Sequence, residues 1–143
     1  MPQILAMDYG TKRTGVAVTD DMQIIASGLT TVPTGTLIDF LEDYLKNEQV
    51  ELFLIGEPKQ RDNSPSNIEF EIRPFLKRLN SKFPDIPIER VDERFTSKMA
   101  MQTMIDSGIS KGRRRDKALV DEISATIILQ TYLTGRDSLK KGQ

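Results

Sequence analysis

The 143-residue sequence contains neither cysteine nor histidine, and each absence excludes a kind of chemistry. Without cysteine there can be no disulfide and no thiolate-bound metal. Without histidine the chain lacks the most common general base and the most common ligand for transition metals. Any bound metal must therefore be held by oxygen atoms, which favours magnesium or manganese.

The chain also lacks long hydrophobic runs. No apolar stretch approaches the length that crosses a bilayer, and the N-terminus MPQILAMD has neither the basic start nor the apolar segment of a secretion signal. A hydrophobic content of 38% and a charged content of 29% are typical of a soluble globular protein. We therefore expect a cytoplasmic protein with a single domain over residues 1–135 and a polar C-terminal tail over residues 136–143.

Positive charge is concentrated in one segment, although the net charge of the chain is only −1. Residues 94–117 hold seven Lys or Arg and two Asp, a local charge of +5, so the rest of the chain carries −6. A basic segment on an acidic body is a candidate binding surface for a polyanion such as nucleic acid. The alternative is that the segment is a solvated loop.

The stretch ILAMDYGTKRTGVAVTD, residues 4–20, predicts a strand, a tight turn and a second strand. The first apolar run ends at Asp8, and the turn that follows holds two glycines together with Lys12 and Arg13. A carboxylate at the end of a buried strand loses hydration and needs a cation or hydrogen-bond donors nearby. Asp8 is thus a candidate site residue, with capping of the turn as the alternative role.

The rest of the chain predicts alternating strands and helices. Their order indicates an α/β domain with a mixed five-stranded sheet, three antiparallel strands and then two parallel ones, flanked by helices. The predicted elements are a third strand over residues 24–32, a helix over 36–48, a buried strand over 50–55, a helix over 68–79 that Pro74 kinks or breaks, a strand over 88–91, a helix that Ser97 caps, and a last helix capped by Asp116 that stops at Gly135.

Three acids occupy positions that acids normally avoid. Asp8 closes the first strand, Glu93 follows the fifth, and Asp121 shares a helix face with Ala118 and Ala125, whose small side chains would let the helix approach the sheet. Ligands of open α/β sheets bind at the carboxyl ends of the strands. The acids are therefore predicted to meet there and to hold two divalent ions for phosphoryl displacement. The alternative for Asp121 is a position at the rim of the core.

Four segments together resemble one known family. In this order and spacing they are similar to the YqgF (RuvX) family, over about residues 4–133. The resemblance implies a ribonuclease H-like fold, in a family whose members are proposed to be Holliday junction resolvases or pre-16S ribosomal RNA nucleases. The segments are DYGTKRTGVAVTD from residue 8, IGEP from residue 55, VDERFTS from residue 91 and VDEISATIILQTYL from residue 120.

The resemblance also implies roles for particular residues. The family's catalytic and metal-binding acids fall on Asp8, Glu93 and Asp121, with Mg²⁺ or Mn²⁺ as the cofactor, and its motif arginines fall on Arg13 and Arg94. The sequence departs from the family pattern at Glu57, where an apolar residue is usual, and in the loop KQRDNSPS that follows. The nucleic-acid contacts predicted from the turn, the motifs and the basic segment are Lys12, Arg13, Arg94, Arg113, Arg114 and Arg115.

The functional prediction is a divalent-metal-dependent nuclease that cleaves structured nucleic acid, in the 5′-end processing of pre-16S ribosomal RNA. The alternatives are a Holliday junction resolvase on branched DNA and a nucleic-acid-binding module without catalysis. A sugar-kinase or actin-like phosphotransferase ranks lower, because those proteins pair two related domains and this chain supplies one. No membrane partner is expected. The protein is expected to be a monomer or homodimer, and a resolvase would need the dimer because its substrate is symmetric.

Overall fold

The computed structural model describes residues 2–59, 66–92 and 116–141. These ranges contain five strands, three α-helices and a short 3-10 turn at Thr34–Thr36. The helix predicted to start at Ser97 lies outside them. The strands are β1 Gln3–Asp8, β2 Arg13–Thr19, β3 Ala26–Pro33, β4 Val50–Glu57 and β5 Ile88–Asp92, and the helices are α1 Leu37–Tyr44, α2 Glu69–Lys82 and α3 Lys117–Lys141.

The strands form one mixed sheet in the order β3-β2-β1-β4-β5. Strands β1, β2 and β3 are antiparallel neighbours, whereas β4 runs parallel to both β1 and β5. This arrangement confirms the predicted fold class and is consistent with a ribonuclease H-like fold. Since β1, β4 and β5 are parallel, their carboxyl ends lie at the same edge of the sheet.

Helices cover both faces of the sheet. On one face, Leu5 and Met7 of β1 pack with residues of α1 and α2, such as Leu41 and Phe75. On the other face, the alternate β1 residues pack against α3; Ile4 contributes there. Each fully buried aliphatic side chain contributes about 1.5–3 kcal/mol, so these two layers supply most of the stabilisation. They also fix how α3 lies across the strands.

Helix α3 approaches β2 and β3 very closely at two glycines. A Cβ atom on Gly15 would lie 2.0 Å from the carbonyl oxygen of Asp121, and one on Gly28 would lie 2.5 Å from Oε1 of Glu122. Thr31 of β3 completes the contact, because its Oγ1 donates a 2.6 Å hydrogen bond to a carbonyl of α3. The predicted close approach of this helix is confirmed, and glycines in the sheet make it possible as well as small residues on the helix.

Pro74 does not break its helix, and the predicted stop at Gly135 is wrong. Helix α2 runs continuously through Pro74, because its buried face of Ile72, Phe75 and Leu79 packs on the sheet and offsets the missing backbone hydrogen bond. Helix α3 does not stop at Gly135 but continues to residue 141. A glycine inside a helix costs only about 1 kcal/mol relative to alanine.

The last turns of α3 are attached to the opposite end of the sheet. Arg136 donates hydrogen bonds to Gln23, at 2.7 Å to the side-chain Oε1 and at 3.1 Å to the backbone oxygen. Gln23 has a positive φ of 56° and belongs to the turn between β2 and β3. In this turn Asp20 accepts hydrogen bonds from the backbone N–H groups of Ile24 and Ile25. Because these two residues belong to the turn, β3 begins later than predicted.

Candidate active site

Asp8 lies where the carboxyl end of β1 meets α3. It is half-buried, it is the last residue of β1, and Gly15 of β2 lies directly opposite it. The residues Ile4 and Ala6 face α3, so the alternation along the strand turns Asp8 to the same face. Because Gly15 itself contacts the backbone of Asp121, the structure brings Asp8 and Asp121 to the same place on the sheet.

The carboxylate of Asp121 is paired with Arg13. The Nε atom of Arg13 donates a 2.9 Å hydrogen bond to Oδ2, with the two side chains 36% and 26% exposed. Burial raises the pKa of Asp121, and the nearby charges of Arg13 and Lys117 lower it without cancelling the effect of burial. Asp121 is therefore an incompletely compensated acid, which is common at functional sites.

The donor atoms at this edge fit a hard divalent cation. Two carboxylates on separate elements supply only oxygen, which suits Mg²⁺ or Mn²⁺. Within residues 2–59, 66–92 and 116–141, no three acidic side chains form a possible metal-binding group. The third predicted acid, Glu93, lies outside those ranges, so the three-acid site stays a prediction. The predicted nucleic-acid contacts Arg94, Arg113, Arg114 and Arg115 also lie outside them.

Three side-chain contacts hold the turn between β1 and β2, two to α2 and one to Thr34. Thr11 donates a 3.0 Å hydrogen bond to Glu71 of α2, and the ring of Tyr9 lies 5.0 Å from that of Phe75. Thr34 donates to the Gly10 carbonyl at 2.6 Å. The side chain of Lys12 remains exposed at the top of this turn, where a phosphate could reach it.

A buried ion pair at the end of β4 was not indicated by the sequence pattern. The Arg90 guanidinium donates to both carboxylate oxygens of Glu69, at 2.9 and 2.7 Å, and to the Gly56 carbonyl at 3.0 Å. Hydrogen bonds from Arg90 are the main cause that holds the pKa of Glu69 below its usual value. The signal in the sequence was the pair of charged residues, Glu89 and Arg90, in the middle of a short predicted strand.

Comparison with known proteins identifies the family. A family model described as RuvX: Holliday junction resolvase matches residues 2–135. The chain belongs to the RuvX family. Among the described residues of this RuvX protein, no helix is long and apolar enough to span a membrane.

Curated relatives of this RuvX protein match it over nearly their whole length. Each of three is named "Putative pre-16S rRNA nuclease". The protein of Christiangramia forsetii is 69% identical, over 93% of this chain and 98% of its own. That of Flavobacterium johnsoniae is 62% identical, over 95% and 99%, and that of Phocaeicola vulgatus is 59% identical, over 95% and 98%. The predicted family is therefore confirmed, and the names agree with the predicted enzyme class.

One solved structure shows a weak likeness. Archaeoglobus fulgidus Pelota aligns with a TM-score of 0.44 and 15% identity, over 99% of this chain and 39% of that chain. No conclusion on fold or function follows from a likeness of this size.

Proposed function

We propose that this RuvX-family protein is a divalent-metal-dependent nuclease that processes the 5′ end of pre-16S ribosomal RNA in the cytoplasm. The observation that supports the proposal is the position of Asp8 opposite Gly15, which itself lies against the backbone of Asp121, at the carboxyl edge of the sheet. The names of the curated relatives support the RNA substrate.

The site residues take distinct roles in this proposal. Asp8, Asp121 and Glu93 would hold Mg²⁺ or Mn²⁺, which would supply Lewis-acid stabilisation of the charge that develops in phosphoryl transfer. Glu93 directly follows β5, whose carboxyl end lies at the same edge of the sheet as Asp8. Arg13 orients Asp121 through their 2.9 Å contact and offsets part of the negative charge at the site.

The cations around the edge bind the substrate rather than react with it. Lys12 is exposed on the turn beside Asp8, and we assign Lys12, Arg13, Arg94 and the arginines at 113–115 to phosphate contacts. Such contacts position a nucleic acid without reading its bases. Selection between substrates then depends on their shape at the edge of the sheet.

The description of the family model favours a second candidate, a Holliday junction resolvase on branched DNA. The two reactions differ in symmetry. A resolvase cuts two equivalent strands and acts as a dimer, whereas an RNA-processing nuclease can act as a monomer. Cleavage of a pre-16S RNA fragment and of a four-way DNA junction, each measured at a known oligomeric state, separates the two candidates.

Replacement of Asp8 by Asn tests the chemistry directly. The variant keeps the size of the side chain but removes the charge that a metal requires, so we expect cleavage to fall by orders of magnitude. We expect the apo protein to be as stable as the parent or more stable by about 1 kcal/mol, because one repulsive charge is removed. Single-turnover cleavage and thermal melting in chelator measure the two effects.

The matched control for this experiment is Asp85→Asn, at an exposed turn before β5. It removes the same charge at the amino end of β5, opposite the carboxyl edge where Asp8 lies, and should leave cleavage unchanged. A destabilised but fully active Asp8→Asn protein would assign Asp8 to the turn and contradict the proposal. Full cleavage by the parent protein in excess chelator would contradict the metal dependence.

A further inference from the structure

A basic groove lies beside helix α2, on the face of the sheet opposite α3. It is an open cavity of about 420 Å³ between α1 and α2. Three of the five side chains that line it are cationic, one carries a hydroxyl group, and one is apolar. They are Lys77, Arg78, Lys82, Ser81 and Ile38.

The positive charge of the groove is concentrated at Lys77 and Arg78. Among the described residues neither of them forms an ion pair, and both are exposed. Lys82 differs, because its Nζ lies 2.7 Å from Oε2 of Glu42. The cations without an ion pair among the described residues thus lie nearer to the start of α2 than Lys82 does. A polyanion would favour that part of the groove.

A continuous set of contacts joins this part of the groove to the candidate active site. Tyr9 directly follows Asp8, and its ring lies 5.0 Å from that of Phe75. The guanidinium of Arg78 lies 5.8 Å from the centre of the same Phe75 ring. Since α2 rises about 1.5 Å per residue, Arg78 lies roughly 13 Å along the helix from Glu69 at its first turn.

We propose that the groove binds the phosphodiester backbone of the nucleic-acid substrate outside the cleaved bond. The inference rests on the proposed nuclease function and extends it to a second contact surface. Lys77 supplies a point charge, Arg78 supplies a planar fork of donors, and Ser81 supplies a hydroxyl group, all of which suit phosphate oxygens. Among the described residues no aromatic side chain lines the groove, so it offers no stacking platform for bases.

The acids of α1 limit the length of the contact. Glu42 neutralises Lys82, and the charge of Asp39 also acts on Lys82. A strand that follows α2 away from the active site therefore meets negative charge after Lys77 and Arg78. The phosphate contacts of the groove are therefore confined to the neighbourhood of Lys77 and Arg78, and the substrate leaves the surface beyond them.

Cross-linking from Ser81 tests this placement without any need for cleavage. Because the chain has no native cysteine, Ser81→Cys provides a single thiol for a photoactivatable label inside the groove. The probe is a fluorescein-labelled RNA hairpin with a single-stranded extension, kept in chelator. We expect covalent RNA adducts from position 81 and none from the control Ser27→Cys, which places the thiol on the exposed edge strand β3.

Charge reversal gives a second and independent readout. Lys77→Glu should weaken binding of the same RNA and reduce the slope of log affinity against log salt by at least about 0.7 for each phosphate that the variant no longer neutralises. Lys46→Glu is the comparison variant, since Lys46 is also exposed and follows α1 outside the groove; unlike Lys77, it lies 3.8 Å from a carboxylate oxygen of Asp43. Its slope should remain close to that of the parent, and thermal melting establishes that both variants are folded.

The outcomes separate this inference from the proposed function. RNA binding without adducts from position 81, or equal slopes for folded Lys77→Glu and Lys46→Glu, overturns the groove assignment even if the protein cleaves RNA. Adducts that disappear in the Lys77→Glu background support the assignment even if no cleavage is found. In that case the nuclease proposal fails and the binding surface stands.

Discussion

At the scale of single residues, the structure distinguishes a buried acid, Glu69, from a partly buried one, Asp121. Glu69 is enclosed by Arg90 and Arg73, and its pKa is lowered by them, chiefly by the hydrogen bonds of Arg90. Asp121 is held by Arg13, yet burial still raises its pKa. The first acid is stabilised as an anion by the fold, whereas the second is not fully compensated. A bound cation would therefore further stabilise the ionised carboxylate of Asp121.

This difference predicts opposite effects of pH on stability. A lowered pKa means that Glu69 stabilises the fold above its unfolded pKa of about 4.3, and that this contribution disappears as the pH falls through the folded pKa. Glu69→Gln should therefore destabilise at neutral pH and flatten the acid side of the stability profile. Urea unfolding in chelator across the acid range measures this.

Asp121 should show the reverse behaviour. Its raised pKa means that ionisation opposes folding, so stability is gained as the pH falls through the folded pKa. In chelator, Asp121→Asn should cost less stability at neutral pH than Glu69→Gln does, and its deficit should not shrink in acid. A larger loss of stability for Asp121→Asn at neutral pH would make Asp121 a structural acid like Glu69.

The close approach of α3 at Gly15 depends on the absence of a Cβ atom at that residue. Gly15→Ala would place a methyl group 2.0 Å from the backbone oxygen of Asp121, so α3 must shift. We expect the free energy of unfolding to fall by about 1–3 kcal/mol or more, and any metal binding that needs Asp8 and Asp121 to disappear. Gly35→Ala is the control, because nothing lies within 4 Å of its added methyl group.

At the scale of elements, helix α3 joins the two ends of the sheet. Its first turns carry Asp121 over Gly15, and its later turn at Arg136 holds the β2–β3 turn through Gln23. The helix N-terminus is capped as predicted, since Asp116 accepts a 3.0 Å hydrogen bond from the backbone N–H of Ala118. Because both ends are attached, the position of Asp121 depends on the whole helix.

The continuation of α3 beyond Gly135 has a direct test. An added methyl group at position 135 meets nothing within 4 Å. In a continuous helix Gly135→Ala should stabilise the protein by about 0.5–1 kcal/mol. If Gly135 instead ended the helix in a left-handed conformation, the same change would destabilise it. Urea unfolding monitored by far-UV circular dichroism gives the sign.

At the scale of the whole molecule, charge is distributed unequally along the chain. The basic segment 94–117 lies in a chain that is otherwise acidic, and α2 adds Lys77 and Arg78 on the opposite face from α3. Lys77 and Arg78 lie on α2, and Arg78 connects through Phe75 to Tyr9, which directly follows Asp8. The long-range attraction would then bring a polyanion to the acids that locally repel it.

Removal of the arginines at 113–115 tests the first of these regions. The triple replacement by alanine should weaken binding similarly for different sequences, because phosphate contacts do not read bases. The slope of log affinity against log salt should fall by about 0.7–0.9 for each phosphate that the arginines neutralise in the parent. Titration of two RNA hairpins of unrelated sequence at several salt concentrations measures both. An unchanged slope would place these arginines in solvent.

Much of the element order could be predicted because local patterns determine it. Short apolar runs indicated the strands, the cap at Asp116 indicated the start of α3, and the apolar run at 50–55 indicated a strand buried on both faces. The predicted stop at Gly135 was wrong, and Pro74 does not break α2, because tertiary packing outweighed local propensity. Propensity at one residue is worth about 1–3 kcal/mol, which a packed helix face can offset.

For this protein, the sequence alone determined the chemistry available at the site: oxygen ligands only, an acid at the end of β1, and cations in the turn that follows. The tertiary structure decided which of these groups meet. Gly15 admits the backbone of Asp121, Arg13 pairs with that acid, and Arg90 is directed to Glu69. These pairings join residues far apart along the chain, so they depend on how α3 and α2 pack against the sheet and not on local sequence pattern.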